Sequence, residues 1–390
     1  MTKENKNPNV PNLRFMGFSE IYITNKLGSL VDSCGGGTPS AKNIDFWNGN
    51  IPWISSSDIE ENNIQNINIT RFITSDAINN SATKLCPPNS IHIVSRVGVG
   101  KVAVSSEALC TSQDFFNITK FNGNHLYLAH LLQIKLNNTQ SQGTSIKGIT
   151  SKDLKALEIK IPSVSEQNKI ASFLSKIDEQ IQTQIKIISS LESQRKGIIS
   201  FLLKQLKSFN ELSLSEILIE FNKKTTTNNE FPVLSSTASG IHLQSDYFNK
   251  GASSDDTTGY KILPKNYGTY RSMSDTGRFN FNQQTILDYG IVSPAYPVFY
   301  SNTYNLSFVI LYLNNSSEIK KQILELKTGG TRFALSFQKL CTLNIPNISL
   351  KQQNNVMQII NSIDLKIQNE NNLLNLYNRQ KDYLLNNLFV

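Results

Sequence analysis

The chain has 390 residues, room for two or three domains, and its 39% hydrophobic and 9% aromatic content is ordinary for packed globular proteins. A formal net charge of +8 leans toward a polyanionic partner, although many basic proteins bind none. The spacing of Cys34, Cys86, Cys110 and Cys341 with His92, His125, His130 and His242 suggests neither disulfides nor zinc, and no leader or membrane-length apolar run is seen, so a cytoplasmic protein is expected.

In chain order, residues 1–162 hold a first globule of short β-prone runs such as SIHIVSRVGVGKVAVSS, punctuated by Gly, Asn, Ser and Asp. Gly35-Gly36-Gly37-Thr38 lacks the lysine of a phosphate loop. Gly98-Val99-Gly100-Lys101 has Ser95 where the leading glycine belongs and Val102 where a magnesium-binding hydroxyl belongs, so both read as turns. Cys86-Pro87-Pro88-Asn89 resembles an amino-methyltransferase tetrapeptide only in its prolines. Asp153 with Glu158-Ile159-Lys160 has nuclease letters, but at a tight spacing that reads better as a structural strand. Trp47 and Trp53 read as core.

Residues 163–208 form a first long helix, announced by Pro162 and by Ser163-Val-Ser-Glu166, which fits a capping box. Its apolar residues Ile170, Leu174, Ile177, Ile181, Ile188, Leu191, Ile198 and Leu202 follow a heptad seam. A second globule occupies residues 209–348, containing RSMSDTGR and YGIVSPAYPVFYS; its loop carboxylates Asp255-Asp256 suggest solvent exposure. It aligns poorly with the first. Residues 349–390 then repeat the first helix, with Ser349-Leu-Lys-Gln352 at the cap and Val356, Ile360, Ile363, Ile367, Leu374, Tyr377, Leu384 and Leu388 along the seam.

The repeat is ungapped at an offset of 186, pairing Gln167/Gln353, Asn168/Asn354, Ile177/Ile363 and Asp178/Asp364 as identities. A chain that repeats itself this way is expected to be two-fold in shape. The fold class expected is α+β: two globular mixed α/β domains separated by two long helices in an antiparallel coiled coil, pseudo-two-fold. Forty helical residues span about 60 Å, a spacer longer than the roughly 34 Å of one DNA turn.

Four seam positions are polar: Gln184 and Arg195 in the first helix, Glu370 and Lys381 in the second. They fit either frayed or solvent-facing positions, or a register device, since a buried polar group accepts only a partner that satisfies it. With a positions facing d positions, Arg195 is expected opposite Glu370, and Gln184 opposite Lys381.

No activated nucleophile or catalytic carboxylate pair stands out, so the chain reads as a binding protein and not an enzyme. Its blocks in order, NVPNLRF, LGSLVDSCGGGTPS, FWNGNIPWISSSDI, IPSVSEQNKIASFLSKID, GIVSPAYPVF and QQNNVMQIINSID, resemble the specificity (S) subunits of type I restriction-modification systems. The resemblance covers nearly the whole chain. It implies that each globule is a target-recognition domain reading half of a bipartite DNA site, with the helices setting the gap. It also implies two modification (M) subunits that bind S-adenosylmethionine and methylate adenine, and usually restriction (R) subunits, with no cofactor or metal in this chain. The second copy departs from the first in having Gln352 for Glu166 and two fewer residues between Leu340 and Pro346.

Phosphate contacts need Lys and Arg, and base readout favours Arg for guanine and Asn or Gln for adenine. Candidates in the first globule are Lys42, Asn43, Ser57, Arg96, Lys101 and Gln113. In the second they are Lys223, Lys224, Tyr270, Arg271, Ser274 and Arg278. Lys147 and Arg332, beside Gly-Thr pairs at 143/144 and 330/331, read as phosphate anchors. For each the competing reading is a solvated surface charge. Asp178 and Asp364, on the helix flank, are candidate M-subunit contacts or ordinary solvated residues. A coiled-coil scaffold whose globules bind protein or carbohydrate explains the repeat but not the basic balance or the recognition-domain blocks.

Overall fold

The computed structural model describes residues 9–61, 63–141, 148–247, 256–326 and 332–390. Two long helices dominate, Val164–Gln205 and Leu350–Leu388. The chain divides into two compact units that cut across these helices: residues 1–186 with 372–390, and residues 187–371. Each unit therefore contains half of each helix, the beginning of one beside the end of the other, and within each unit the helices run antiparallel.

The first unit is built on a four-stranded antiparallel sheet in the order Val31–Gly35, Phe115–Phe121, Ile91–Val94, Val102–Val104. The second unit repeats that order with Ile219–Glu220, Val298–Tyr300, Gly268–Tyr270 and Phe281–Gln283. Each unit also closes its ends with a two-stranded antiparallel ladder, Ile23–Lys26 on Glu158–Ile161 and Glu211–Ser213 on Asn344–Pro346. The globules that align poorly as sequences thus share a core topology. Strand burial needs only apolar alternation, which many sequences satisfy.

The ladders also correct the apparent two-residue deletion before Pro346. The Gln167 Nε2 amide donates to Pro162 O at 2.9 Å, and Gln353 Nε2 donates to Ile348 O at the same distance. The counterpart of Pro162 is therefore Ile348, and the offset of 186 continues back through the strand without a gap.

The Gln-Asn pair that both helices carry has a definite task. Asn124 N donates to Gln167 Oε1 (3.0 Å) and Asn124 Nδ2 to Asn168 Oδ1 (2.9 Å). Asn305 makes the same two bonds to Gln353 and Asn354, at 2.8 and 2.9 Å. Asn124 Oδ1 in turn accepts from Tyr127 N, and Asn305 Oδ1 from Phe308 N, the first turns of helices His125–Ser141 and Leu306–Asn315. One side chain thus caps a globule helix while it is held by the long helix, which fixes globule and spacer to each other within each unit.

The two helix starts differ. Ser349 and Gln352 form the expected reciprocal cap. Glu166 does not: its carboxylate, 1% exposed, accepts from Arg14 Nε (2.8 Å), Arg14 Nη2 (2.7 Å) and Tyr22 OH (3.1 Å). A bidentate guanidinium in a buried site outcompetes a helix N–H for the carboxylate. The bond ties down an N-terminal arm whose Leu13 N donates to Asn387 O at 2.9 Å, and burial pushes the Tyr22 hydroxyl well up.

The seam follows the heptad through Leu191, but toward the end of the first helix the buried positions are Ile199 and Leu203, with Ile198 and Leu202 only partly buried. A straight helix of 3.6 residues per turn drifts from a 3.5 repeat, and here the drift reaches one residue. Of the four polar seam residues, Gln184 and Lys381 lie inside, at 4% and 7% exposure, whereas Arg195 and Glu370 are only partly buried. The two cations among them form ion pairs that the seam did not predict. Arg195 forms its ion pair with Asp364, and Lys381 Nζ meets Asp178 Oδ1 at 2.6 Å. In both cases the carboxylate sits six residues before the expected partner, so the helices lie in a different register from strict a-to-d facing. The two pairs are themselves repeat equivalents, offset by 186 at both ends. Of the two candidate partner contacts, Asp178 is buried in its pair, whereas Asp364 remains 43% exposed in its own.

The sequence's doubtful motifs are structural. Asp153 completes a capping box with Thr150, whose hydrogen bonds hold its carboxyl low, and Glu158 lies opposite Lys26 in the ladder. A Cβ on Gly36 would meet Ser112 O at 2.1 Å, so the glycine run serves close backbone packing. Trp53 is 4% exposed and packs edge-on to Trp47, with centroids 5.0 Å apart. All four cysteines are free.

Candidate nucleic-acid interface

In the second unit the segment RSMSDTGR leaves the third strand of the sheet, Gly268–Tyr270, and turns back on itself. The strand is buried throughout and ends at Tyr270, and Arg271 just beyond it is exposed. Tyr270 is fully buried and its hydroxyl donates to Leu335 O at 3.0 Å, so it supports the loop from below and cannot contact DNA as expected. Burial accordingly pushes that hydroxyl up. Met273–Ser274 then pairs with Phe333–Ala334 as a short antiparallel ribbon, and Leu335 N donates to Ser272 O at 2.9 Å. Gly277 has φ +76°, a conformation a side chain disfavours, and faces the Phe333 ring.

This ribbon brings Arg271, Ser274, Arg278 and Arg332 to one cleft of about 330 Å³, with Asn280 beside them. Arg332 Nε pairs with Asp275 Oδ1 at 2.9 Å, both side chains exposed, which orients the guanidinium without burying it. A two-stranded ribbon is narrow enough to enter a DNA major groove. Lys223 and Lys224 are exposed but outside this cleft; their backbones are engaged by Ile262 N and by a bridge to Lys261.

The first unit has the corresponding loop after Ile91–Val94. Ile149 N donates to Ser95 O at 2.8 Å, as Leu335 N does to Ser272 O. Arg96 and Val97 project from it, exposed, between the backbone bonds Val94 N to Lys101 O and Gly100 N to Val94 O. Lys101 is partly buried, and its ammonium donates to Ile59 O at 3.0 Å. Lys42, Asn43, Ser57 and Gln113 are exposed. Asn43 Oδ1 caps Asp45 N, Ser57 Oγ contacts Ser55 Oγ at 2.9 Å, and Gln113 accepts from Thr38. Lys147, the Gly-Thr pairs and Asp255 lie outside the described residues.

Arg71 went unrecognised in the sequence. Its guanidinium lies 4.7 Å over the Trp53 ring, donates to Ser55 Oγ at 2.7 Å and pairs with Asp58. Its partners come from 13 to 18 residues upstream, so no local pattern announces it.

Residues 22–193 match the family model for the type I restriction modification DNA specificity domain. The match covers 172 of the chain's 390 residues. The specificity subunit of type I restriction enzyme MjaIX from Methanocaldococcus jannaschii is 34% identical over 175 residues, 43% of this chain and 40% of that protein. A type I restriction enzyme specificity subunit from Escherichia coli is 32% identical over 176 residues, 42% of this chain and 43% of that protein. The matched part thus spans about two fifths of each curated relative. The whole fold is similar to the crystal structure of a type I restriction-modification S subunit from M. genitalium, with TM-score 0.56 and 18% identity over 98% of this chain and 99% of that one. A chain from a study of type I complex assembly and conformational transition matches at TM-score 0.56 and 13% identity, over 94% and 97% of the two chains. No helix among the described residues is long and apolar enough to cross a membrane.

Proposed function

We propose that the chain is the DNA sequence-specificity subunit of a type I restriction-modification complex, each unit reading one half of a bipartite site. The observation that carries this reading is duplication with divergence: the same sheet order and the same Asn-to-Gln-Asn clamp occur twice, while the loops beyond the third sheet strand carry different polar residues. Two different half-sites need two different readers on one kind of frame. The chain supplies recognition, and adenine methylation falls to two M subunits holding S-adenosylmethionine. R subunits, when present, supply cleavage.

Co-expression with the M subunit encoded nearest to it, followed by single-molecule mapping of methylated adenines, tests the proposal. The expected motif has two short defined halves around a fixed gap. A soluble complex that methylates a single undivided motif refutes it. Arg271→Ala is expected to relax one base position in one half, with a loss on the order of 1–3 kcal/mol of discrimination there. Arg332→Ala is expected to weaken binding to all sequences alike and to lower the salt slope of binding by about one, measured by titration at several salt concentrations. A base-specific effect of Arg332→Ala would contradict its assignment as a phosphate anchor.

A further inference from the structure

Three of the four cysteines lie in the first unit, and two of them meet: Cys34 Sγ and Cys86 Sγ are 3.9 Å apart, in hydrogen-bond contact. They come from different sheets. Cys34 sits on Val31–Gly35, an edge strand of the four-stranded sheet described above. Cys86 sits on Leu85–Cys86, an edge of a second sheet ordered Arg71–Ile73, Ile51–Ile54, Leu109–Thr111, Leu85–Cys86. Cys34 is partly exposed, whereas Cys86 is fully buried. The Cys86 thiol donating to Cys34 draws the Cys34 thiol down, and Lys84 and Asn117 add to this against the opposing effect of burial. The same bond, together with burial, holds Cys86 up, while burial raises Cys110 to about 12 and also raises Cys341. The thiolate is the reactive form of cysteine, so one sulfur of the pair is ready to attack and the other lies beside it.

We propose that Cys34 and Cys86 are a reversible oxidation site of the first unit, taking hydrogen peroxide as the oxidant and closing to a disulfide between the two sheets. In the first step the Cys34 thiolate attacks one peroxide oxygen. An S–O bond forms, the O–O bond breaks, and the departing hydroxide takes up a proton to leave as water. Cys34 is then a sulfenic acid, oxidised by two electrons, and the peroxide is reduced. The charge on Cys34 that held Cys86 up is now gone, so Cys86 gives up its proton more readily. In the second step the Cys86 sulfur attacks the Cys34 sulfur: the S–S bond forms, the S–O bond breaks, and hydroxide leaves with a proton as a second water. Two thiols and one peroxide become one disulfide and two waters. Sulfurs 3.9 Å apart reach the roughly 2.05 Å of an S–S bond by side-chain rotation. The second unit has no such pair, since Cys341 is its one cysteine.

The test uses the full chain, reduced, desalted and treated with hydrogen peroxide, then alkylated and digested without reductant for mass spectrometry. A Cys34–Cys86 linked peptide is expected, with free thiols falling from four to two per chain and returning to four with dithiothreitol. Before oxidation, Cys34 is expected to react with iodoacetamide on the order of tenfold faster than Cys341, which is also partly exposed but is held up by burial. Cys86→Ala removes the second sulfur, and Cys34 is then expected to oxidise more slowly and to stop at a sulfenic acid that dimedone traps. Cys34→Ala is expected to leave Cys86 and Cys110 unoxidised. Absence of the linked peptide from wild type, under peroxide that oxidises the chain's methionines, overturns the proposal. So does a Cys34–Cys110 link, or oxidation of Cys341 ahead of Cys34. The wild-type readout decides the matter even where a variant fails to fold.

Discussion

Lys381→Met will destabilise the first unit by about 3–5 kcal/mol, the cost of leaving one buried charge without its partner. The Lys381 and Asp178 side chains are each 9% exposed and meet at 2.6 Å. Burial pushes the Asp178 carboxyl up even with the ammonium beside it, so without Lys381 the carboxylate is stranded. A carboxyl raised in the fold is stabilised by protonation, so the deficit of Lys381→Met shrinks as the pH is lowered through that raised value. Asp178→Leu combined with Lys381→Met removes both charges and is expected to recover most of the loss. The repeat-equivalent pair supplies the contrast: Arg195 and Asp364 are 33% and 43% exposed, and Arg195→Met should cost at most about 1 kcal/mol. Urea midpoints of the unit transitions measure all three variants. Equal losses at the two pairs would show that burial is not what distinguishes them.

The first unit will lose about 4 kcal/mol between neutral pH and pH 5, roughly 2 kcal/mol for each of two buried histidines. His92 and His130 are both fully buried, and burial lowers them to about 4 and about 3 from an ordinary 6.5. Both remain neutral in the fold while the unfolded chain takes up protons below 6.5, so their share of stability is intact above 6.5 and drains away as the pH falls toward 4. Asp178, 3.9 Å from His130 Nε2, moves the other way and offsets a small part. His92 is satisfied on both sides, by Asn117 Oδ1 at 2.8 Å and Ser105 Oγ at 2.9 Å. His130 has neither ring nitrogen hydrogen-bonded among the described residues, and Lys381 adds to its reluctance to charge. The second unit carries Leu311 at the corresponding place, counted from the clamped asparagines Asn124 and Asn305. His130→Leu should therefore raise stability at neutral pH and halve the acid sensitivity. Thermal unfolding of wild type and variant between pH 7.5 and 5 decides it: parallel curves for the two proteins would remove His130 from the account.

What could be read without coordinates was whatever repeats along the chain. The two long helices, their heptad seam, their antiparallel sense and the division into two globules are local or periodic properties, and helix formation answers to spacing and caps. The offset of 186 also marked Gln167, Asn168 and their copies as special, although not what they hold. The candidate site was partly legible, because RSMSDTGR concentrates two arginines among small polar residues; four candidates, Arg271, Ser274, Arg278 and Arg332, do meet in one cleft.

The rest depends on partners distant in sequence. Whether Glu166 caps a helix or holds an arm turns on Arg14, 152 residues away, and the helix register turns on Asp178 and Asp364 finding Lys381 and Arg195. Tyr270 and Arg271 are neighbours with opposite fates because the buried strand ends at Tyr270, whose hydroxyl is anchored on Leu335 O, and Arg271 lies just beyond that end.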